Sequence, residues 1–207
     1  DDIRVILVKI ADRLHNMRTL DSMLPSRQYK IVGETLYIFA PLADRLGLNR
    51  IKTELEDLSF KYEHPDDYNA VMQHLRDSKM ERDDAINDFT PAIRQALDAQ
   101  GIDYELKARV KSPYSIWQKM QRKQVPFEEV FDILAIRIIF RPKDRDNEIA
   151  ECYAIYAALT QIYKPHPSRF RDWLSTPKGN GYQALHLTVL GPDAQWVEVQ
   201  IRSRRMD

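Results

Sequence analysis

Residues 169–202 contain the side chains of this chain that are best suited to bind a charged, planar ligand. The turn at 177–182 reads PKGNGY, and its two glycines permit backbone conformations and a close ligand approach that other residues resist. The ring of Tyr182 offers a stacking face for a purine, and Lys178 offers a positive charge for phosphate. An Asn-Gly pair alone is most often just a surface turn, so the interpretation depends on the residues around it.

A second group of candidate residues surrounds a Ser-Pro pair at 112–113. Arg109 and Lys111 alternate on the polar side of a predicted strand, and the Ser-Pro pair is typical of the start of a helix, here 114–123. Ser115 and Lys119 are four residues apart and share one face of that helix. Two cations beside a helix N-terminus predict a polyphosphate site, because free N–H groups and the helix dipole attract anions. The alternative is a capped helix with ordinary solvated charges.

Two carboxylates complete this candidate site. Asp132 precedes an apolar run, and Glu198 alternates with Val197 and Val199 in another strand pattern. A carboxylate from each of two neighbouring strands can hold one Mg²⁺ ion, which prefers oxygen ligands and keeps substrate phosphates in its coordination shell. For Glu198, the alternative is the solvated face of an antiparallel sheet.

Arg137 and His186 are the remaining polar residues within apolar strand patterns. We expect Arg137 either to pair with a carboxylate or to reach a ligand, because burying an arginine without a partner is costly. Asp132 and Arg137 are an odd number of residues apart, so both reach one ligand only if Asp132 precedes the regular strand or a bulge intervenes. His186 follows the glycine turn, and a surface histidine and a functional one are equally compatible with that position.

The first hundred residues are predicted to be helical. Apolar residues recur at helical spacing in five stretches, which are 3–20, 28–47, 49–63, 66–79 and 80–99. We expect Pro41 to kink or divide the second stretch, Asn49 to cap the third and Gly101 to end the last. The charged faces of these helices are interpreted as solvated. The first stretch has no start signal and the chain stops just after a strand, so we expect a piece of a longer protein.

The pattern changes at residue 102. Strict alternation of apolar and polar residues over 102–111 predicts a half-buried strand, and the nearly continuous apolar run 133–140 predicts a central one. A helix at 147–163 and a hairpin of two alternating strands, 184–190 and 196–202, complete this half. The expected fold class is α+β, with an all-helical front, an α/β rear and a boundary near residue 100.

Composition limits the classes of function. The chain has 207 residues, of which 43% are hydrophobic, and predicts a folded protein of one large or two small domains. It has 31 basic and 31 acidic residues, which argues against a generic nucleic-acid or membrane-surface binder. The single Cys152 excludes an intrachain disulfide and fits a reducing, cytoplasmic setting. The sequence has no secretory segment and no bilayer-spanning apolar run.

Four motifs occur in an order similar to that of one family of nucleotide enzymes. They are RVKSPYSIWQKM, FDILAIRIIF, PKGNGYQALH and WVEVQIR. They resemble, in turn, the phosphate-binding entry, the metal-aspartate strand, the guanosine loop and the glutamate strand of the RelA/SpoT family of (p)ppGpp synthetases and hydrolases. The front, beginning VKIADRLHNMRTL, resembles the end of the family's metal-dependent HD hydrolase domain and the helical link beyond it. The resemblance covers essentially the whole chain.

The resemblance implies a mixed sheet like that of polymerase-β-type nucleotidyltransferases. Residues 1–24 would be the remnant of the HD domain, 25–100 a helical linking region and 101–207 a synthetase domain that is truncated at its C-terminal end. The implied reaction is transfer of the β,γ-pyrophosphate of ATP to the ribose 3′-hydroxyl of GDP or GTP, which makes the stringent-response alarmone (p)ppGpp. The parent protein is expected to be bifunctional.

The resemblance also implies a role for each candidate residue. The implied Mg²⁺ ligands are Asp132 and Glu198, and Glu198 would also activate the attacking hydroxyl. The positions matching ATP phosphate contacts are Arg109, Lys111, Ser115 and Lys119. The positions matching those that flank adenine are Arg137 and Arg171. The guanosine-nucleotide side is matched by Lys178, Asn180, Tyr182 and His186, with Tyr182 stacking on guanine.

Some positions depart from the family pattern. Arg171 stands where bifunctional members usually have lysine, and it keeps the charge and can stack on a base. The loop 141–150 is longer than usual and is assigned no role. Asp12 matches the last metal ligand of the hydrolase, but the other ligands of that site are absent from the sequence. We therefore expect no hydrolysis by this chain, and Mn²⁺ only in a complete hydrolase domain.

Two other classes of function stay open. A non-catalytic nucleotide-sensing module would bind ATP and GDP without forming product. A single-stranded RNA binder would show strong, salt-dependent binding, and the neutral net charge argues against it. The expected partners are ATP with GDP or GTP, with no membrane and no nucleic acid, and with the ribosome or tRNA contacted only through regions absent from this sequence.

Overall fold

Alternating apolar residues build a mixed sheet in the second half of the chain. The computed structural model describes residues 2–130, 132–192 and 194–207, and within these ranges the sheet has five strands. They are β1 (Asp103–Val110), β2 (Leu134–Arg141), β3 (Arg171–Asp172), β4 (Leu185–Leu190) and β5 (Trp196–Ser203), in the spatial order β1-β2-β5-β4-β3. Strands β2 and β5 are parallel, and every other neighbouring pair is antiparallel. The predicted central strand and the predicted hairpin are confirmed.

Helices form most of the first hundred residues, as predicted. The helices of the described residues are α1 (Ile3–Arg18), α2 (Pro25–Glu34), α3 (Ala40–Arg45), α4 (Asn49–Glu63), α5 (Pro65–Asp77), α6 (Lys79–Ala99), α7 (Pro113–Lys123) and α8 (Glu148–Ile162). The predicted stretch 28–47 is divided just before Pro41 by a π-helical turn, Thr35–Phe39, because proline supplies no backbone N–H. Gly101 has a φ of 63° and follows α6 in the left-handed conformation that ends many helices.

One predicted helix cap is wrong. Helix α4 begins at Asn49 itself, and the cap position is taken by Leu48, whose side chain makes no capping hydrogen bond. The backbone N–H of Asn49 instead donates to the carbonyl of Gly47 at 2.9 Å. The preceding glycine turn therefore starts this helix without an Asn cap.

The first compact unit comprises the residues up to His74 together with Ser112–Gln124. Apolar residues from the first four helices form its core, and the fully buried members include Met17, Val32, Ala40 and Leu55. A separate aromatic cluster joins α4 to α7 through Phe60 and Trp117, whose ring centroids are 4.9 Å apart. Helix α7 is thus held on α4 by ring packing.

The second compact unit comprises Leu75–Lys111 and Val125–Asp207 and contains the sheet. Helices α6 and α8 pack on one face of the sheet, and the buried core there includes Phe89, Leu97, Ile138, Leu159 and Val199. Because side chains alternate between the faces of a strand, the polar residues of β2, β4 and β5 point to the opposite face.

The α+β fold class, with a helical front and a mixed sheet behind it, is confirmed. The domain limits 1–24, 25–100 and 101–207 stay a prediction, since the compact units reflect packing and do not mark evolutionary domains. In the described ranges no helix has the length and apolar character needed to cross a bilayer.

Candidate active site on the polar face of the sheet

Strand register brings several predicted site residues onto one face of the sheet. Arg109 pairs with Ala135, which pairs with Glu198, which in turn pairs with Thr188. Two residues along, a second row is formed by Lys107, Arg137, Gln200, His186 and Arg171. Paired residues share a face and neighbouring strands are about 4.8 Å apart. Charged residues that are distant in sequence therefore form a continuous surface.

Glu198 lies at the centre of this surface. Its Oε1 atom accepts a hydrogen bond of 2.7 Å from Nε2 of Gln200 and lies 3.7 Å from Nδ1 of His186. Its side chain is 22% exposed, and no donor in the described part of the chain contacts its Oε2 atom. One carboxylate oxygen is therefore fixed by the protein and the other is left for a ligand.

Tyr182 and His186 form a pair beside Glu198. The Tyr182 hydroxyl lies 2.7 Å from Nε2 of His186, and it accepts a 3.1 Å hydrogen bond from Arg202. Burial lowers the pKa of His186 to about 4, so the imidazole is neutral at pH 7. The neighbouring carboxylate favours the tautomer with the proton on Nδ1, in which Nε2 accepts from the tyrosine hydroxyl.

The glycine turn holds Tyr182 next to Lys178. Gly181 has a φ of 79°, and its N–H donates to the carbonyl of Lys178 at 2.8 Å. The Asn180 side chain accepts from the N–H of Tyr182 at 3.2 Å. The Lys178 ammonium group lies 5.0 Å from the ring centroids of both Tyr182 and Trp173. A cation thus covers one face of the tyrosine that the sequence predicts for stacking.

Asp132 precedes β2, which removes the difficulty of its odd separation from Arg137. Strand β2 begins at Leu134, so the regular alternation does not extend to Asp132. Its Oδ2 atom accepts a 2.6 Å hydrogen bond from Nζ of Lys111, and both side chains are largely buried, at 16% and 23% exposure. A charge-assisted bond of this length fixes the carboxylate next to the end of β1.

Arg137 is partly buried in the second row of the polar face. Its Nε donates to Oε1 of Gln200 at 3.1 Å, and its NH1 lies 3.8 Å from the carboxylate of Asp207. Burial, together with the charges of Arg202 and Arg109, lowers the pKa of Arg137 to about 10, so it stays cationic at neutral pH. The expected carboxylate partner is therefore Asp207.

Arg171 and Arg109 are exposed at opposite edges of the polar face. Arg171 pairs with His186 across β3 and β4, and its NH1 donates to the carbonyl of Phe170 at 2.8 Å. Arg109 lies on β1. The main cause of the lowered pKa of His186 is burial, and the positive charge of Arg109 is one of its smaller causes. Both arginines belong to the predicted set and lie at the rim of the surface.

The other predicted phosphate-binding residues, Ser115 and Lys119, belong to the first compact unit and lie one turn apart on α7. The predicted helix cap is confirmed, since Ser112 Oγ accepts from the N–H of Ser115 at 3.3 Å. The N–H of Tyr114 donates to the carboxylate of Asp57 at 3.0 Å. An internal carboxylate therefore already uses one donor of this helix N-terminus, which the sequence pattern had not indicated.

Asp12 lies exposed on α1, where its carboxylate accepts from Asn16 at 3.3 Å. Within the described ranges, no three His, Cys, Asp or Glu side chains are close enough to hold a metal ion together.

Three residues without a predicted role complete the polar face. Gln200 and Arg202 are 5% and 4% exposed, and Asp207 follows the turn after β5. Together with four predicted residues they form a closed circuit of side-chain contacts. We call this circuit the side-chain ring, and its members are Tyr182, His186, Glu198, Gln200, Arg137, Asp207 and Arg202. Gln200 and Arg202 follow Glu198 at intervals of two residues, so the sequence predicts that they share its face of the strand. No sequence pattern predicts that Asp207 joins them.

Comparison with known proteins matches both parts of the chain to family models. A model described as a region found in RelA / SpoT proteins matches residues 108–207, and an HD domain model matches residues 1–49. The chain is 46% identical to a GTP pyrophosphokinase of Myxococcus xanthus over 205 residues, covering 99% of this chain and 26% of the relative. It is 42% identical to the bifunctional (p)ppGpp synthase/hydrolase SpoT of Escherichia coli K12, covering 100% of this chain and 28% of the relative.

These relatives are much longer than this chain, which spans 26% to 30% of the length of the relatives that it matches. Among solved structures, a similar one is the small alarmone synthetase 1 from Bacillus subtilis bound to its product pppGpp. That match has a TM-score of 0.42 and 24% sequence identity, and covers 66% of this chain and 70% of the other.

Proposed function

Because this chain belongs to the RelA/SpoT family, we propose that its sheet domain transfers the pyrophosphate group of ATP to the 3′-hydroxyl of GDP or GTP. The product would be (p)ppGpp. A longer parent protein would also hydrolyse (p)ppGpp, since the Escherichia coli relative is a bifunctional synthase/hydrolase. The proposed setting is the cytoplasm, where both nucleotides are available.

The observation that carries the proposal is the shared face of Arg109, Arg137, His186 and Glu198. The strand register places these four residues in two adjacent rows. Pyrophosphate transfer depends mainly on holding two nucleotides in line and neutralising the charge that moves between them. A surface with cations on both sides of a carboxylate meets that requirement.

The residues divide into a donor side and an acceptor side. Arg109 and Lys111, with Ser115 and Lys119, would bind the phosphates of ATP, and Arg137 and Arg171 would flank its adenine. Lys178, Asn180, Tyr182 and His186 would bind the guanosine nucleotide, with the Tyr182 ring against guanine. Since Lys178 lies over that ring, binding would require its ammonium group to move to a phosphate as the base takes its place.

Glu198 would act on the attacking hydroxyl. Its Oε1 atom is held by Gln200, so Oε2 is the atom that would accept a hydrogen bond from the ribose 3′-hydroxyl. A neutral His186 faces this carboxylate, with its Nδ1 atom 3.7 Å from Oε1.

The donor set fits a Mg²⁺ ion. Asp132 and Glu198 both offer hard oxygen atoms near the same end of the parallel pair β2 and β5, since Glu198 pairs with Ala135, three residues after Asp132. When bound, Mg²⁺ would neutralise phosphate charge as the pyrophosphate moves. Lys111, which now pairs with Asp132, would be released to contact phosphate.

The test is product formation from ATP and GDP with Mg²⁺, measured together with nucleotide binding by calorimetry. We expect product from the wild-type chain, and loss of at least about 100-fold in rate for Asp132→Asn and Glu198→Gln with the fold intact by circular dichroism. Glu105→Gln, which removes an exposed carboxylate of β1 paired with Lys107, is the matched control and should keep full activity. Binding of both nucleotides without product would favour the nucleotide-sensing module instead.

A further inference from the structure

We propose that Gln200 is a positioning residue that aligns the carboxylate of Glu198 with the guanidinium of Arg137. The inference rests on the proposed function and adds a residue through which the acceptor and donor sides of the site would be coupled. Gln200 would not contact either nucleotide, since it is 5% exposed, whereas the side chains of Glu198 and Arg137 are each 22% exposed.

The contacts of Gln200 run in both directions along the polar face. Its Nε2 donates to Oε1 of Glu198 at 2.7 Å, and its Oε1 accepts from Nε of Arg137 at 3.1 Å. Gln200 also pairs with Arg137 on one side and with His186 on the other in the strand register. It therefore occupies the middle of the second row, with a predicted functional residue on each side.

The polarity of these two contacts requires a group that donates at one end and accepts at the other, as an amide does. A carboxylate can only accept hydrogen bonds and a guanidinium can only donate them, so the group between Glu198 and Arg137 must donate at one end and accept at the other. This requirement also fixes the orientation of the amide, with its nitrogen towards Glu198. Ionised glutamate at position 200 would keep the acceptor for Arg137 and would replace the donor to Glu198 by a second negative charge, whereas methionine would lose both contacts.

As a consequence, Gln200 would fix the orientation of one side chain on the acceptor side, Glu198, and of one on the donor side, Arg137. Holding Oε1 of Glu198 turns Oε2 towards the acceptor hydroxyl, and holding Nε of Arg137 sets the plane of the guanidinium that would stack on adenine. Because a misplacement of about 1 Å can cost roughly 100-fold in rate, loss of the amide should affect turnover more than binding.

The experiment compares Gln200→Met and Gln200→Glu by steady-state kinetics and by calorimetric binding of ATP in the absence of GDP. For Gln200→Met we expect kcat to fall about 10- to 100-fold and the Kd of ATP to rise about 3- to 10-fold. For Gln200→Glu we expect a similar loss of kcat with the Kd of ATP within about twofold of wild type, because the acceptor for Arg137 remains. Gln28→Met removes an amide of the first compact unit that donates to the carbonyls of Leu20 and Met23; it is the control and should change neither value.

A double-mutant cycle separates positioning from a general loss of packing. Once Arg137 is replaced by Met, Gln200→Met should raise the Kd of ATP no further, since the contact that it removes is already gone. The inference would be overturned if the two substitutions each raised the Kd of ATP in the double variant as much as they do singly. Wild-type kcat and ATP binding in a folded Gln200→Met protein would also overturn it. Equal ATP binding by the Met and Glu variants would also contradict it.

Two results keep this inference distinct from the proposed function. An inactive wild-type chain that binds ATP would reject the proposed function, while the ATP-binding comparison of the two variants still decides the role of Gln200. If Gln200→Met does not fold, the separation of kcat from ATP affinity in Gln200→Glu decides it, and a parallel loss of both would refute it.

Discussion

Glu56 lies on α4 in a largely buried position, and burial destabilises the ionised form of its carboxyl group. Its side chain is 17% exposed, and Nζ of Lys52 lies 3.8 Å away. Burial raises the pKa of Glu56 from 4.5 to about 7, with Asp57 and Asp44 adding to the rise and Lys52 opposing it. The folded chain therefore holds a proton on Glu56 at pH values at which the unfolded chain has released it.

This difference makes the stability of the first compact unit depend on pH. A raised carboxyl pKa gives stabilisation that is present below the ordinary pKa and is lost as the pH rises through about 7. Each pKa unit is worth about 1.4 kcal/mol, so the rise from 4.5 to about 7 corresponds to about 3.5 kcal/mol as an upper limit. Partial exposure lowers the expected value to about 1–3 kcal/mol. We therefore expect Glu56→Gln to leave stability unchanged at pH 4 and to raise it by about 1–3 kcal/mol at pH 8.

The assay is urea unfolding followed by the fluorescence of Trp117, which packs against Phe60 and His64 in the same unit. The chain has three tryptophans, so replacing Trp173 and Trp196 by Phe leaves Trp117 as the sole reporter. Glu63→Gln, at an exposed position of the same helix, is the control and should show no difference between the two pH values. The reasoning fails if Glu56→Gln changes stability equally at pH 4 and pH 8, or not at all.

Three further predictions concern the second compact unit. Tyr182→Ala should lower kcat/KM for the guanosine nucleotide about 5- to 150-fold, from roughly 1–3 kcal/mol of stacking, with ATP binding by calorimetry unchanged; equal losses for both nucleotides would reject the stacking role. Arg202→Met and Tyr182→Phe both remove the 3.1 Å hydrogen bond between these residues, and each also removes one further contact of the ring, so each should raise the KM for GDP about 3- to 10-fold and the double variant should raise it by less than the product of the two single effects; fully multiplicative effects would show that they act separately. Burial would raise the pKa of Asp172, but hydrogen bonds led by that from Tyr153 lower it to about 2, so its stabilisation is present above the ordinary pKa of 3.8 and is lost as the pH falls through about 2. Asp172→Asn should accordingly cost about 1 kcal/mol in denaturant unfolding at pH 7 and much less at pH 2, and a cost that is the same at both pH values would contradict this assignment.

Four of the five strands in the described ranges could be predicted from the sequence because each has a clear apolar pattern, whereas β3, Arg171–Asp172, is two charged residues long and has none. Residues 102–111 alternate strictly, and β1 occupies Asp103–Val110. The apolar run 133–140 became β2, which lies between an antiparallel and a parallel neighbour. Helix starts were harder, as the wrong cap at Asn49 shows, because a short glycine turn can begin a helix without any side-chain cap. The local periodicity of apolar residues therefore predicts the presence of helices and strands better than it predicts the residues at which they begin and end.

The face of the candidate site was also predictable, whereas its contacts were not. Alternation in WVEVQIR places Glu198, Gln200 and Arg202 together, but a period of two cannot show which of them meets Arg137, 63 residues earlier. That contact depends on the parallel register of β2 and β5, which is set by packing of the opposite, apolar face. Asp207 joins the ring through the turn after β5, for which the sequence carries no periodic signal.

The side-chain ring is balanced in charge before any nucleotide binds. It holds two guanidinium groups and two carboxylates, and a neutral His186. In contrast, Arg109, Arg171 and Lys178 are exposed and have no carboxylate partner within the described ranges. The negative charge of two nucleotides must therefore be met mainly by these three cations, by Lys119, by Lys111 once it leaves Asp132, and by a divalent ion. Substitutions at the rim should accordingly weaken nucleotide affinity in a salt-dependent way. Substitutions within the ring should chiefly disturb alignment, because they act on charges that already have partners.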